Sequence, residues 1–438
     1  MKTICLHFEI HQNVHLKRYR FSEIGTDHYY YDDYQNEQSI AETVAQSYAP
    51  ALKTLLSMTR DYKGMFKCAF SVSGVTLELL EQYAPEVIDL LQDLSQTGQV
   101  EFLAEPYGHG FSSIMDAEAF REETLLLSEK IASLFGMRPK VFANSCLMYS
   151  DDIGEQIGDM GFIGILGEGA RHVLGWKSPH FLYQSNRNPA LRVLLRDYRL
   201  SEDIAYNFGN PAWSEYPLYA ETFAHWIDNL PEEEQVVTLS LELCALGIFQ
   251  PLSTHILDFL YALPAEMQQK GITFSTPSEV CEQLRPIGEI DVEAPVTWVD
   301  EERDLSPWLG NVMQREALKK LYSIAERLRA TQDLKLMLDW YRLQASNNFR
   351  FMNTKPGSEN AYRGLYDSPY DAFTNYMNIL ADFITRVRNR YPETIDNEEL
   401  NSLLTTIKNM GDELAMKDKE ITKLRHMVEK LRNAKTQK

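Results

Sequence analysis

The chain has 438 residues, 44% of them hydrophobic, and a formal net charge of −20 at pH 7; its pI is near 5.0. That length and apolar content suffice for one large core and a smaller one. So acidic a balance repels phosphate backbones and excludes nucleic acid as a natural partner, and no run of about 18 apolar residues is present to cross a membrane.

The chain opens directly on a strand pattern, Lys2–Ile10, without an apolar leader and small-residue cleavage site, which disfavours secretion. Its five cysteines, Cys5, Cys68, Cys146, Cys244 and Cys281, are scattered and form no CxxC pair. They read as free thiols of a reducing cytoplasm, not as a disulfide framework or a zinc site. No cofactor motif stands out, so none is expected.

Short apolar or β-branched runs bounded by turn residues predict strands at Thr3–Ile10, Phe66–Val72, Val100–Ala104, Val141–Ala143, Gly164–Leu166, Val236–Leu241 and Thr273–Ser275. Helical spacing predicts helices between them, at Ala41–Met58, Pro85–Thr97, Ala117–Phe135, Gly154–Met160, His255–Leu263 and Pro277–Leu284. Gly136 is placed to stop the third of these, and Thr276-Pro-Ser-Glu279 to start the last. Strands alternating with helices argue an α/β domain. From Gly169 to Tyr219 the pattern is irregular and rich in Trp, Tyr, Pro and Asn, and a long loop of that kind is usually functional. After Pro295 the composition turns helical, with Asn311–Arg329, Leu334–Ala345 and Ala372–Tyr391 separated by the loop Thr354–Pro369. In Asp396–Asn433 a heptad seam runs through Leu400, Leu403, Ile407, Met410, Leu414, Ile421, Leu424, Val428 and Leu431, interrupted at Lys417. A seam over four heptads predicts a coiled coil and a homo-oligomer; the other reading is one amphipathic helix folded back on the body.

Three clusters can carry chemistry. His7, Glu9 and His11 alternate on the first strand and so share one face; they read either as a metal set or as a polar pocket floor. Glu101, Glu105 and His109 lie at or beyond the end of a buried strand, where an ion pair is as natural as a site. Glu242 ends Val236–Leu241, and a carboxylate there is unfavourable to bury unpaired.

The runs His11–Tyr19, Gly98–Gly110, Val141–Ser150, Val236–Gln250 and Thr276–Val280 together resemble the five signatures of the α-amylase branch of glycoside hydrolase family 57. His11-Gln12 and the following Leu16-Lys-Arg-Tyr19 are similar to its first signature, with Asn13 for the usual Pro. Gly98–Gly110 resembles the second. Val141-Phe-Ala-Asn-Ser-Cys-Leu-Met-Tyr-Ser150 resembles the third, Phe-Arg-Asn-Thr-Glu-Leu-Ile-Tyr-Ser, with Cys146 in place of the Glu. Val236–Gln250 resembles the fourth when Gly247 and Gln250 are matched, which puts Glu242 at the family's Asp and Cys244 at the Glu that follows. Thr276–Val280 matches the fifth. Leu174–Pro179, Leu195–Ile204, Glu302–Asn311 and Ser368–Met377 also agree, while Asn347 and Asn348 stand where the family has Asp-His.

The resemblance covers about residues 1–385. It implies an incomplete, distorted (β/α)7 TIM-like barrel over residues 1–290, a helical domain over 291–395 closing its mouth, and a coiled-coil tail over 396–438. It implies a catalytic pair at Cys146, the nucleophile position, and Glu242, the acid/base position. The implied sugar-binding residues are His11, Gln12, Glu101, Glu105, His109, Trp176, Asp203, Asp304 and Trp308, without a metal. With the nucleophile exchanged, the expected protein binds α-glucan and hydrolyses it weakly or not at all. The alternatives are an active α-glucan hydrolase or transglycosylase using Glu242 in unusual chemistry, and a metal-dependent barrel hydrolase using His7, Glu9 and His11.

Overall fold

The computed structural model describes residues 2–357, 365–390, 416–417, 419 and 421–425. One compact unit spans Met1–Val387 and a second Arg388–Lys438. The first is built on parallel strands: β1 Thr3–Ile10, β2 Cys68–Val72, β3 Val100–Leu103, β4 Val141–Ala143, β5 Gly164–Glu168, β6 Arg192–Arg196 and β7 Val236–Glu242. β1 lies between β7 and β2, with β3 beyond β2; β4 pairs β5, which pairs β6. β6 meets β7 through one pair, Arg196–Thr238. The ladder leaves off between β3 and β4, where a single bridge, Ala104–Phe142, spans the seam. This α/β architecture is the incomplete, distorted barrel expected from the sequence.

Six of the seven strands fall where apolar runs predict them. The seventh is β6, Arg192-Val-Leu-Leu-Arg196, inside the stretch whose composition reads as loop. Its apolar core is three residues long and flanked by arginines, so its signal is weak until β5 and β7 are in place on either side. The expected Thr273–Ser275 strand is a two-residue side pair on β1, Thr273–Phe274.

Helices connect the strands. The expected Ala41–Met58 is a longer rod, with a π turn at Val44–Tyr48 between Asp33–Thr43 and Ala49–Asp61. Its polar first half has no apolar stripe to announce it, but Asp32 caps it by accepting the Gln35 N–H. Gly74–Tyr83 also escapes the apolar pattern, starting on the Ser73 cap. Gly136 ends Ala117–Phe135 at φ 71°, a left-handed stop that Gly adopts without strain. Thr276 and Glu279 form the full capping box of Pro277–Gln283. Downstream, Val312–Tyr322 and Ala325–Thr331 replace the single helix expected over 311–329. Trp308 and Phe349 from this part pack around Phe111, so the later helices share the core of the strands.

The heptad seam from Leu400 to Leu431 lies largely outside the described residues; within it, Ile421–Arg425 is helical and Met416, Ile421 and Leu424 are exposed. No helix among the described residues is long and apolar enough to cross a membrane.

Candidate active site

The C-terminal ends of β1, β4, β6 and β7 converge on one cleft. In parallel α/β sheets the strand C-termini are where ligands bind. Glu9 and Glu242 are register partners on β1 and β7, so their side chains stand beside each other on one face. A cleft of about 300 Å³ is lined by Glu9, Glu242, Arg196, Leu147, Trp298, Tyr206 and Phe249, among others. A second, of about 560 Å³, is lined by Glu9, Glu242, Phe249, His11, Gln12, Tyr48 and Cys244, among others. Glu9, Glu242 and Phe249 belong to both.

Beneath Glu9 runs a buried polar chain. His109 Nε2 lies 3.3 Å from Glu9 Oε1, and its Nδ1 lies 2.6 Å from Glu105 Oε2. The imidazole of His11 stacks on that of His109 with centroids 3.9 Å apart, and its Nδ1 meets Ser73 Oγ at 2.9 Å. Burial pushes the Glu9 carboxyl well above its ordinary range, and the charges of Glu242 and Glu105 add to this. Burial alone does the same to Glu105 and pulls His109 down to about 3. Glu242 is also raised by burial, but Arg350 and Arg196 oppose the rise.

After β4 the chain turns through two left-handed residues, Cys146 at φ 54° and Leu147 at φ 51°. Each such non-glycine residue stores about 1–3 kcal/mol. Asn144 staples the turn: its amide donates to the Met148 carbonyl at 2.9 Å and its oxygen accepts the Ser145 N–H at 3.0 Å. Trp298 N–H donates to the Cys146 carbonyl at 3.2 Å, which brings the indole to the cleft. The Cys146 thiol faces inward, 3.9 Å from His109 Nε2 and 3.9 Å from Ser346 Oγ. Burial, with the Glu9 charge, pushes it well above the ordinary thiol range.

Of the expected site residues, Glu242, His11 and Gln12 line the clefts, and His109 and Glu105 support them from below. Others lie elsewhere. Glu101, on β3, accepts the Ser278 N–H at 2.9 Å, so it serves the start of the helix Pro277–Gln283. Trp308 is 1% exposed and fills the core against Phe111, where no sugar reaches it. Trp176 is 93% exposed and lines neither cleft. Asp304 spends its carboxylate on the N–H and hydroxyl of Ser306. Asp203 accepts from Asn207 at 2.9 Å, which steadies the turn that carries Tyr206. The metal alternative fails on geometry: His7 lies between Ser240 Oγ at 2.8 Å and Ser71 Oγ at 3.0 Å, so both of its ring nitrogens are engaged. Among the described residues no His/Cys/Asp/Glu group is placed to hold a metal.

The reading of the residues alone missed Arg196, Tyr206, Phe249, Trp298 and Arg350. Two signals pointed near them: Arg196 is the second residue of the matched run Leu195–Ile204, and Phe249 sits between the matched Gly247 and Gln250. The Glu101 placement is testable. Glu101→Ala should lower stability by about 1–3 kcal/mol, the penalty of a buried donor left unpaired, with maltoheptaose affinity unchanged. A change in affinity, with folding intact, would return Glu101 to the sugar site.

Comparison with known proteins sets this geometry beside relatives. The family model described as glycosyl hydrolase family 57 matches residues 5–293. A protein of Methanocaldococcus jannaschii named "Putative alpha-amylase" is 34% identical over 397 residues, covering 87% of this chain and 84% of the relative. Among solved structures, a GH57-type branching enzyme from Pyrococcus horikoshii superposes with a TM-score of 0.65 at 12% identity, covering 89% of this chain and 94% of that one. A 4-alpha-glucanotransferase from Thermococcus litoralis gives 0.62 at 13% identity, with 87% of this chain covered; the chain spans 59% of that enzyme's length. Likeness at such identity speaks for the fold.

Proposed function

Since the chain belongs to glycosyl hydrolase family 57, we propose that it is an α-glucan-binding protein whose hydrolysis is weak or absent. The observation that carries this reading is the state of Cys146. The position that holds a Glu nucleophile in the resembling branch here holds a shorter side chain without a carboxyl, enclosed at 6% exposure, its thiol pushed upward by burial. A retaining glycosidase needs two carboxyl groups on either side of the bond it cuts, and the family route lacks one.

The sugar-binding side is better furnished. Tyr206 and Phe249 stack at 5.6 Å, are 46% and 39% exposed, and together offer an aromatic platform at the junction of the clefts. His11 lines the larger cleft, and its Nε2 is buried without a hydrogen-bond partner.

The test is calorimetry with maltoheptaose beside reducing-sugar release from amylose. Binding heat with turnover far below the ~10 s⁻¹ typical of enzymes is expected. Phe249→Ala should weaken binding about tenfold, the equivalent of about 1.4 kcal/mol. Fast turnover would overturn the reading, and the absence of binding heat with any α-glucan would remove it entirely.

We propose further that the tail, through its heptad seam, joins copies of the chain, which would raise avidity for a long polymer. Light scattering on the full chain and on a version ending at Ile395 decides this: equal monomer masses would remove it. A cytoplasmic location is the matching proposal from five free thiols.

A further inference from the structure

The family route leaves the carboxyl of Glu242 without its partner, yet a second carboxyl stands beside it. Glu9 is its register partner on the neighbouring strand, and both side chains line both clefts. A bond between two sugar units lies where two sugar sites meet, and these two carboxyls occupy that junction. Adjacent strands run about 4.8 Å apart, which brings in-register carboxyls to the order of the ~5–5.5 Å separation of a retaining pair.

We propose that Glu9 and Glu242 form a relocated catalytic pair in this chain, with Glu242 as the nucleophile and Glu9 as the proton donor. This rests on the reading of the cleft as an α-glucan site, and it names the source of the weak hydrolysis. A Glu242 oxygen attacks the anomeric carbon while the glycosidic C–O bond breaks. The departing oxygen keeps the electron pair and takes the proton of Glu9. In the second step water attacks the same carbon, gives a proton to Glu9, and the ester bond to Glu242 breaks, restoring both groups. Water and glycoside become two shorter glucans.

The surroundings assign these roles. Glu242 is one methylene longer than the Asp of the resembling branch and reaches further toward the anomeric carbon. Arg196 lines its cleft, and both Arg196 and Arg350 favour its ionised form. Were a carboxylate present at position 146, its charge would hold Glu242 protonated; Cys146 removes that charge. Arg196 acts on Glu9 in the same sense, but Glu9 alone has the buried chain of His109 and Glu105 behind it, and the Glu105 charge adds to the rise that burial and Glu242 impose on it; a second carboxylate behind one member of a pair favours that member as the acid. After it gives up its proton, Glu9 is met by the Cys146 N–H and by His109 Nε2 at 3.3 Å. His109 and Glu105 are then positioning residues that hold Glu9 at the junction.

The experiment compares two substrates on the full chain. Maltoheptaose needs an acid for its leaving group; α-maltosyl fluoride does not. Glu9→Gln should lower maltoheptaose turnover at least about 100-fold, the usual contribution of a general acid, and fluoride turnover only a few-fold. Glu242→Gln should abolish both. 5-Fluoro-maltosyl fluoride should leave a covalent sugar that peptide mass mapping finds on Glu242. Maltoheptaose calorimetry on each variant shows that its cleft is intact. A sugar found on Glu9 or Cys146, an equal loss of both substrates in Glu9→Gln, or no consumption of either substrate by a wild-type chain that binds maltoheptaose would each overturn the pair. That last result would leave the binding reading standing, whereas absent binding would remove the reading itself.

Discussion

Cys146→Glu is expected to raise maltoheptaose hydrolysis by roughly four orders of magnitude. Removal of a nucleophile from a catalytic set costs about 10⁶-fold, and the longer acid at Glu242 gives back about 100-fold through misplacement. The backbone at position 146 is already left-handed, and Glu is no worse there than Cys, so the substitution adds no new backbone strain. Arg350 acts electrostatically on both Cys146 and Glu242 and would hold the new carboxylate ionised. That charge would in turn raise Glu242 and return it to the acid role. Room is the opposing term. Cys146 is 6% exposed, and a methylene and a carboxylate in place of its sulfur in a filled site destabilise by about 1–3 kcal/mol. A folded Cys146→Glu variant that binds maltoheptaose but shows no gain would mean that β4 and β7 do not flank one glycosidic bond. Initial rates of reducing-sugar release, beside a thermal melt, separate that result from misfolding.

How much of this was legible before the fold was known depends on what each feature's signal is made of. β1 and β7 carry long apolar runs ending in Glu9 and Glu242, and their place in the barrel follows from that pattern. Their register does not: nothing local says that position 9 faces position 242, because pairing is decided by strands more than 200 residues apart in sequence. So Glu9 read as one third of a His–Glu–His set, and only the packing of His7 between two serines separates it from that set. Motif resemblance singled out His11 and Gln12, which line a cleft, and His109 and Glu105, which lie behind Glu9. It misled for Trp308 and Glu101, because a matched run can be kept for packing or capping as readily as for sugar contact. Tyr206 and Trp298 are held at the cleft by turns, a π turn and the Cys146–Trp298 hydrogen bond, and turns of that sort leave no periodic trace.

His180→Ala is expected to cost about 3–5 kcal/mol of stability, the usual penalty for breaking a buried charged pair. The imidazole lies between two carboxylates, 2.6 Å from Glu234 and 2.7 Å from Asp197, all three side chains at most 11% exposed. Burial pulls His180 down, but the hydrogen bonds and charges of Asp197 and Glu234 outweigh it and hold it above its ordinary value. Burial likewise works against the Asp197 carboxylate, but His180 and the Leu200 N–H overcome it and hold Asp197 below the usual carboxylate range. The signs follow by linkage. A raised His contributes stability that is complete below its unfolded value of about 6.5 and is lost as pH rises through its folded value. A depressed Asp contributes stability that is complete above its unfolded value of about 3.9 and is lost as pH falls through its folded value. The gap between wild type and His180→Ala should therefore be widest between about pH 4 and 6.5 and narrow as the solution is made alkaline. Urea unfolding at pH 5.5 and again above pH 9 measures it; a gap that widens with pH would show that His180 is held neutral. The effect reaches the cleft. The His180 carbonyl accepts the N–H groups of Gln235 and Val236, at the start of the strand that ends in Glu242. Asp197 caps the helix Tyr198–Glu202 directly after Arg196, which lines one cleft with Glu242. Freed of its cation, the carboxylate pair would push β6 and β7 apart where they share their single bridge, so maltoheptaose affinity should fall together with stability.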